Sequence, residues 1–259
     1  MKNWIKYTLL SVCGALILAC IVCAFVAGRK DRGEIICRHI RVTVVDSTEN
    51  RFIAPGKIKK DLQKEYGKII GMPIDSLDLG RIEAIIDSKT AVYKSQAYAT
   101  KDSALNIEIS QRKPIVRFQK GSVGFYADKD GFIFPLQSSF TSHVLIVDGN
   151  IPISTNKTCQ GEITDPEEKE WLHKTVGLIN HIENDKDWKR IIVQIHVDKN
   201  EDIILVPRDG KERFVIGKPT DIVEKFEKMK KYYTAIIPKA GSEQYKVVDL
   251  RYKGQIICK

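Results

Sequence analysis

The sequence predicts an α+β protein: an N-terminal transmembrane helix, a small β-α-α-β-β module, then a mixed β region with helices on one face and a C-terminal edge strand. Three observations carry that expectation. One uncharged run, Tyr7–Gly28, stands near the start. Between Cys37 and Gln111 the periodicity changes from strand to helix, helix, strand and strand. From Pro114 onward, short β-branched segments alternate with two helical stripes. A chain of 259 residues, less the apolar run, has room for one large domain or two small ones.

The apolar run is about 22 residues long, enough at 1.5 Å per residue to cross a hydrocarbon core of roughly 30 Å. Trp4 and Tyr7 lie at one end, where amphipathic rings prefer the headgroup layer. Thr8 and Ser11 can bond to carbonyls of their own helix. A cleaved signal peptide would have a shorter apolar core. Ile17-Leu18-Ala19-Cys20 loosely resembles a lipoprotein processing site, but the chain stays apolar beyond Cys20. Length therefore favours a retained anchor over residues 7–28, with a short tail over residues 1–6. Lys2 and Lys6 precede the run and Arg29, Lys30 and Arg32 follow it, so charge alone leaves the orientation open.

Cys37–Asp46 alternates and is rich in β-branched residues, which reads as a strand. Pro55-Gly56 opens a helix through about Tyr66, with Ile58 and Leu62 one turn apart; Gly67 and Gly71 end it. Asp78 is a good N-cap for a helix over Leu79–Ser88, where Leu79, Ile82 and Ile85/Ile86 form one stripe. Val92–Ala99 and Ala104–Gln111 read as strands joined by the polar turn Lys101-Asp102-Ser103. Two helices can cover one face of such a three-stranded sheet.

In the second region, Val116–Phe118 and Ser122–Ala127 read as strands, and Asp128-Lys129-Asp130-Gly131 turns the chain into Phe132–Pro135. Val144–Val147 is a further strand. Asp165-Pro166-Glu167-Glu168 opens a helix with cap, N1 proline and first-turn acids in place, and Leu172, Val176, Ile179 and Ile182 share one face of it. Ile191–Val197 and Ile203–Val206 pair across Lys199-Asn200, and Arg213–Ile216 follows Asp209-Gly210. Thr220 is read as the cap of a last helix, in which Ile222, Phe226, Met229 and Tyr233 face inward and the lysines face out. Strands over Tyr245–Tyr252 and Gln255–Cys258 close the chain around Lys253-Gly254.

The net charge of +9 is scattered among acids rather than gathered in a block, which reads as a solvated surface near a membrane and not as a nucleic-acid site. Cys13, Cys20 and Cys23 fall inside the anchor. Cys37, Cys159 and Cys258 remain, an odd set without C-x-x-C spacing, so neither a disulfide framework nor a zinc site is expected; one bridge among the three stays open. His39, His143, His173, His181 and His196 never reach the i, i+4 pairing of a metalloprotease. Asp128 and Asp130 read as turn builders rather than paired catalytic carboxylates. No nucleophile elbow, P-loop or dinucleotide turn occurs, so no cofactor, metal or small-molecule substrate is expected.

The β-α-α-β-β module, with Ile74-Asp75-Ser76-Leu77-Asp78-Leu79 leading into Ile82 and Ile85-Ile86, resembles a POTRA domain. Its exit, Leu105-Asn106-Ile107-Glu108-Ile109 followed by Gln111-Arg112-Lys113-Pro114-Ile115-Val116, resembles the hinge from POTRA into the β domain of FtsQ/DivIB division proteins, with Gln111 where that family usually has Glu. Tyr126–Pro135 is similar to the family's DxxGxxF/VxP hairpin, and Tyr245–Tyr252 to its VDLRY signature. The resemblance implies a POTRA domain over 36–113 and an FtsQ-type β domain over 114–259. It further implies an N-in, C-out protein of the inner membrane at the division septum, a non-enzymatic scaffold that binds FtsB-like and FtsL-like partners.

Partner binding is expected at the last ribbon: Arg251, Tyr252, Gly254, Gln255, Ile256, Ile257 and Cys258. If Gln255–Cys258 lies at a sheet rim, its backbone can pair with a strand of another chain. Arg251, by the resemblance, would take a carboxylate of the partner. Two other classes are weaker. An outer-membrane assembly or secretion component would carry several POTRA copies or a barrel-length strand series. An enzyme acting on peptidoglycan would need a site that no motif supplies.

Overall fold

Apolar side chains turned inward build the two cores of this computed structural model, which describes residues 14–24, 35–48, 50–100, 102–154, 159–241 and 244–259. The chain divides into two units, Met1–Glu49 with Ile53–Gln111, and Asn50–Phe52 with Arg112–Lys259.

In the first unit, β1 (His39–Val44) runs parallel to β3 (Ala104–Gln111), which pairs antiparallel with β2 (Val92–Thr100). Helix α1 (Pro55–Glu65) has proline in its first turn and buries Ile58 and Leu62. Helix α2 (Leu79–Asp87) starts at Asp78, whose carboxylate accepts the Arg81 N–H at 3.0 Å, and buries Ile82 and Ile86. These four side chains share a core with Leu105, Ile107 and Ile109 of the central strand. The strand expected from Cys37 starts two residues later. Cys37 instead donates its N–H to Met72 and accepts from Gly71, so its backbone serves the turn before Pro73.

The second unit is a nine-stranded sheet in the order β12-β11-β10-β9-β8-β7-β4-β5-β6. Its strands are β4 (Pro114–Lys120), β5 (Val123–Asp128), β6 (Ile133–Pro135), β7 (Leu145–Gly149), β8 (Ile192–Val197), β9 (Ile203–Pro207), β10 (Arg213–Gly217), β11 (Val247–Asp249) and β12 (Ile257–Cys258). Helix α3 (Pro166–Asn184) is capped by Asp165, which accepts from Glu167 and Glu168. Leu172, Val176, Ile179 and Ile182 of α3 join Phe118, Val147, Ile195, Leu205 and Phe214 in one core. Phe52 packs edge-on against Phe134 and Phe140 in this same unit, with ring centroids 6.0 and 5.2 Å apart.

Several expectations are corrected here. A short helix, α4 (Lys186–Ile191), precedes β8 because Asp185 caps it by accepting from Asp187 and Trp188. Thr220 does not cap α5 (Ile222–Lys231): the cap position is Asp221, in the left-handed region at φ 51° and without a side-chain cap bond. The helical path then continues through a π-helical turn, Tyr232–Ile236, into α6 (Ile237–Ala240). Two of the lysines on α5 are buried rather than outward-facing, Lys225 at 7% and Lys228 at 6% exposure. The final strands are shorter than expected, three residues and two.

Residues 14–24 are helical, and Leu16, Ile17, Leu18, Ile21 and Val22 are exposed. The rest of the predicted 7–28 run and the 1–6 tail lie outside the described residues. No helix among the described residues is long and apolar enough to cross a membrane. Cys37, Cys159 and Cys258 form no disulfide with one another.

Candidate interaction site at the C-terminal edge

The last ribbon occupies one rim of the nine-stranded sheet. β11 pairs parallel with β10, and β12 pairs antiparallel with β11, with Val248 opposite Cys258 and Asp249 opposite Ile257. Lys259 donates to Val247 at 2.9 Å, and Val247 donates back at 3.1 Å. Such doubly bonded pairs alternate with unbonded ones along an antiparallel ladder, so the N–H and C=O of Cys258 turn away from β11. Ile256 has the same parity. Among the described residues no strand pairs with that outer side. Ile256 and Cys258 pack their side chains against the core, and burial pushes the Cys258 thiol pKa up.

The opposite rim is closed. Ile133 of β6 exchanges two backbone bonds with Gly161, at 3.0 and 2.9 Å, and Pro135 has no N–H to offer.

Side chains tie the ribbon down from two directions. Arg251 donates to Asp249 through Nε (3.0 Å) and a terminal nitrogen (2.7 Å), and to Asp202, beside β9, at 2.8 Å. These hydrogen bonds hold the Asp249 carboxyl below the usual carboxylate range and raise the Arg251 pKa. Its stem passes Gly217, where any Cβ would come within 2.9 Å of Arg251 Cγ; the φ of +69° there also favours glycine. From the helix side, Lys228 Nζ donates to the carbonyls of Leu250 (2.6 Å) and Tyr252 (2.8 Å). Glu224, one turn earlier, accepts the Gly254 N–H at 3.0 Å, and that bond is the leading cause of its lowered pKa.

The predicted site residues are therefore together on one ribbon, in different situations. Tyr252, Gly254 and Gln255 are exposed, and Ile256, Ile257 and Cys258 are half-buried. Arg251 is engaged with carboxylates of its own chain. Glu224, Lys228, Asp202 and Asp249 hold the ribbon, and sequence reasoning had given none of them a role. The available signal was the Glu224/Lys228 spacing, which is equally that of a surface i, i+4 pair.

Asp128, His181 and His196, away from this rim, have partners within the fold. Asp128 accepts the N–H groups of Asp130 and Phe132, each at 3.0 Å, and pairs with Arg112 at 2.8 Å. His196 Nδ1 lies 2.8 Å from Asp148, and the His181 ring packs on Phe226. Among the described residues no group of three or more His, Cys, Asp or Glu could hold a metal ion.

Comparison with protein families matches residues 113–259 to the family described as FtsQ/DivIB, C-terminal related. That is more than half of the chain. The chain belongs to the FtsQ/DivIB C-terminal-related family. Residues 35–110 match the POTRA-like domain. Comparison with individually curated proteins gives no match. The two regions in this order make the chain an FtsQ/DivIB-type protein with a role in cell division, and both families are in general scaffolds.

Proposed function

We propose that the protein is a non-enzymatic bitopic scaffold of the division machinery. Residues 7–28 anchor it in the inner membrane at the septum, with 1–6 in the cytoplasm. The POTRA domain (36–113) and the β domain (114–259) stand on the periplasmic side. Its terminal ribbon, Arg251, Tyr252 and Gly254 to Cys258, receives a strand from an FtsB-like protein that is itself paired with an FtsL-like one. Through it the scaffold links early division components to septal peptidoglycan synthesis.

One observation supports this reading above the others. Among the described residues β12 leaves its outer ladder unpaired, while the far rim of the same sheet is closed by Gly161 and Pro135. An added strand satisfies those groups by main-chain bonds, the usual way a sheet edge recruits a peptide. The helical, exposed apolar residues Leu16, Ile17, Leu18, Ile21 and Val22 are what a lipid-facing surface requires.

The test is a pull-down of the FtsB-like and FtsL-like proteins with the wild-type chain and with Ile257→Lys. Lysine on an edge strand discourages pairing and is compatible with Asp249 opposite. The expected result is loss of capture with an unchanged circular dichroism spectrum; undiminished capture would contradict the reading. Separately, the full chain should stay in the membrane pellet after an alkaline wash. Release into the supernatant would remove the anchor.

A further inference from the structure

We infer that Glu224 and Lys228 of α5 are positioning residues for the terminal edge: they hold the turn Leu250–Gly254 so that β12 lies on β11 with its outer ladder presented. This rests on the reading of β12 as a binding edge, and it adds a determinant on a helix outside the sheet.

The argument starts from the shortness of β12. A two-residue strand has too few ladder bonds to fix its own place. What precedes it must therefore be held. Lys228 has a side chain 7% exposed, and an ammonium is costly to bury unless its protons are taken up. Here they go to the Leu250 and Tyr252 carbonyls, on either side of Arg251. Glu224 lies 3.7 Å from that ammonium and accepts the Gly254 N–H, at a residue whose φ of 67° reverses the chain toward β12. Two side chains one helical turn apart thus serve both acceptors and a donor of a single turn. A lysine that merely filled space there could be replaced by methionine; one that holds the turn could not.

The experiment uses the full chain as wild type, Lys228→Met, Glu224→Ala and Glu224→Gln. Native-state hydrogen exchange reads the amides of Val247 and Lys259, which bond to each other's residue, against those of Leu205 and Phe214 in the core. Lys228→Met and Glu224→Ala should speed exchange at Val247 and Lys259 by about tenfold, with Leu205 and Phe214 unmoved. They should also weaken binding of the purified FtsB-like partner by about tenfold. Glu224→Gln, which keeps the oxygen for Gly254, should behave as wild type. Unchanged exchange in both disruptive variants, or a rise at all four amides together, overturns the positioning role. Should Lys228→Met fail to fold, Glu224→Ala carries the test, because that side chain is 41% exposed. A wild-type chain that binds no partner overturns the binding-edge reading alone, since exchange still reads the turn. Equal affinity across wild type and variants overturns the positioning inference alone.

Discussion

Asp249 is 5% exposed and receives three hydrogen bonds from Arg251, one from the backbone and two from the guanidinium. Its carboxyl is held below the ordinary range chiefly by the guanidinium hydrogen bonds. A carboxyl with a depressed folded-state pKa adds stability that is complete above its unfolded value of about 3.9 and is lost as pH falls through the folded pKa. Urea midpoints of wild type and Asp249→Asn should therefore differ more at pH 7 than at pH 3; an equal gap at both would contradict the pairing. Gln111 makes a second residue-scale case. It is 3% exposed, its amide donates to Asp46 at 3.3 Å, and its oxygen accepts the Ile53 N–H. A glutamate there would lose the donor and set a second carboxylate against Asp46. Gln111→Glu should cost the first unit roughly 2 kcal/mol, read as a lowered urea midpoint. An unchanged midpoint would contradict the hydrogen-bond assignment.

At the scale of elements, the terminal ribbon and α5 behave as one assembly. The Cys258 N–H points away from β11, so Cys258→Pro should leave the unfolding free energy within about 1 kcal/mol of wild type, since proline is tolerated on outward-facing edges. It should also weaken capture of the partner by at least about tenfold, because that N–H is no longer available. Unaltered capture would argue that side chains, not backbone, make the contact. The Tyr232 hydroxyl is buried without a hydrogen-bond partner among the described residues, and burial pushes its pKa up to about 12. Tyr232→Phe should hold or raise the melting temperature; a large drop would reveal a partner for the hydroxyl. The order of strands and helices was legible because period-2 and period-3.6 patterns, Asp78, Asp165 and the glycine turns each act locally. Three features escaped. Asp185 both ends α3 and starts α4, and so reads as one interruption. The π-turn at Tyr232 breaks a period without a proline or glycine to mark it. Lys225 and Lys228 read as outward because their charges do, whereas backbone carbonyls take them in: that of Lys218, just before the helix, for Lys225, and those of Leu250 and Tyr252, far along the chain, for Lys228.

At the scale of the whole chain, two cores account for two families' patterns on one polypeptide. The second unit is discontinuous, drawing Asn50–Phe52 from far upstream. Phe52 is 5% exposed among Tyr126, Phe134 and Phe140, so Phe52→Ala should destabilise this unit by about 3 kcal/mol. A fragment starting at Arg112 should melt lower than the same unit in the full chain; identical melting would show that the ring contributes nothing. No local pattern announces this, because a single phenylalanine near a helix start looks like part of that helix's own core. The candidate site was legible as a place, through the motif around Arg251, but not as a mechanism. Which groups are free for a partner depends on backbone parity and on Lys228, Glu224 and Asp202. The most direct test of the account is photocrosslinking in dividing cells from probes at Ile256, Ile257 and Cys258, with Pro135 on the closed rim as the control. The account predicts an FtsB-like adduct from the β12 probes and none from Pro135. Capture from neither rim, or equally from both, would contradict it.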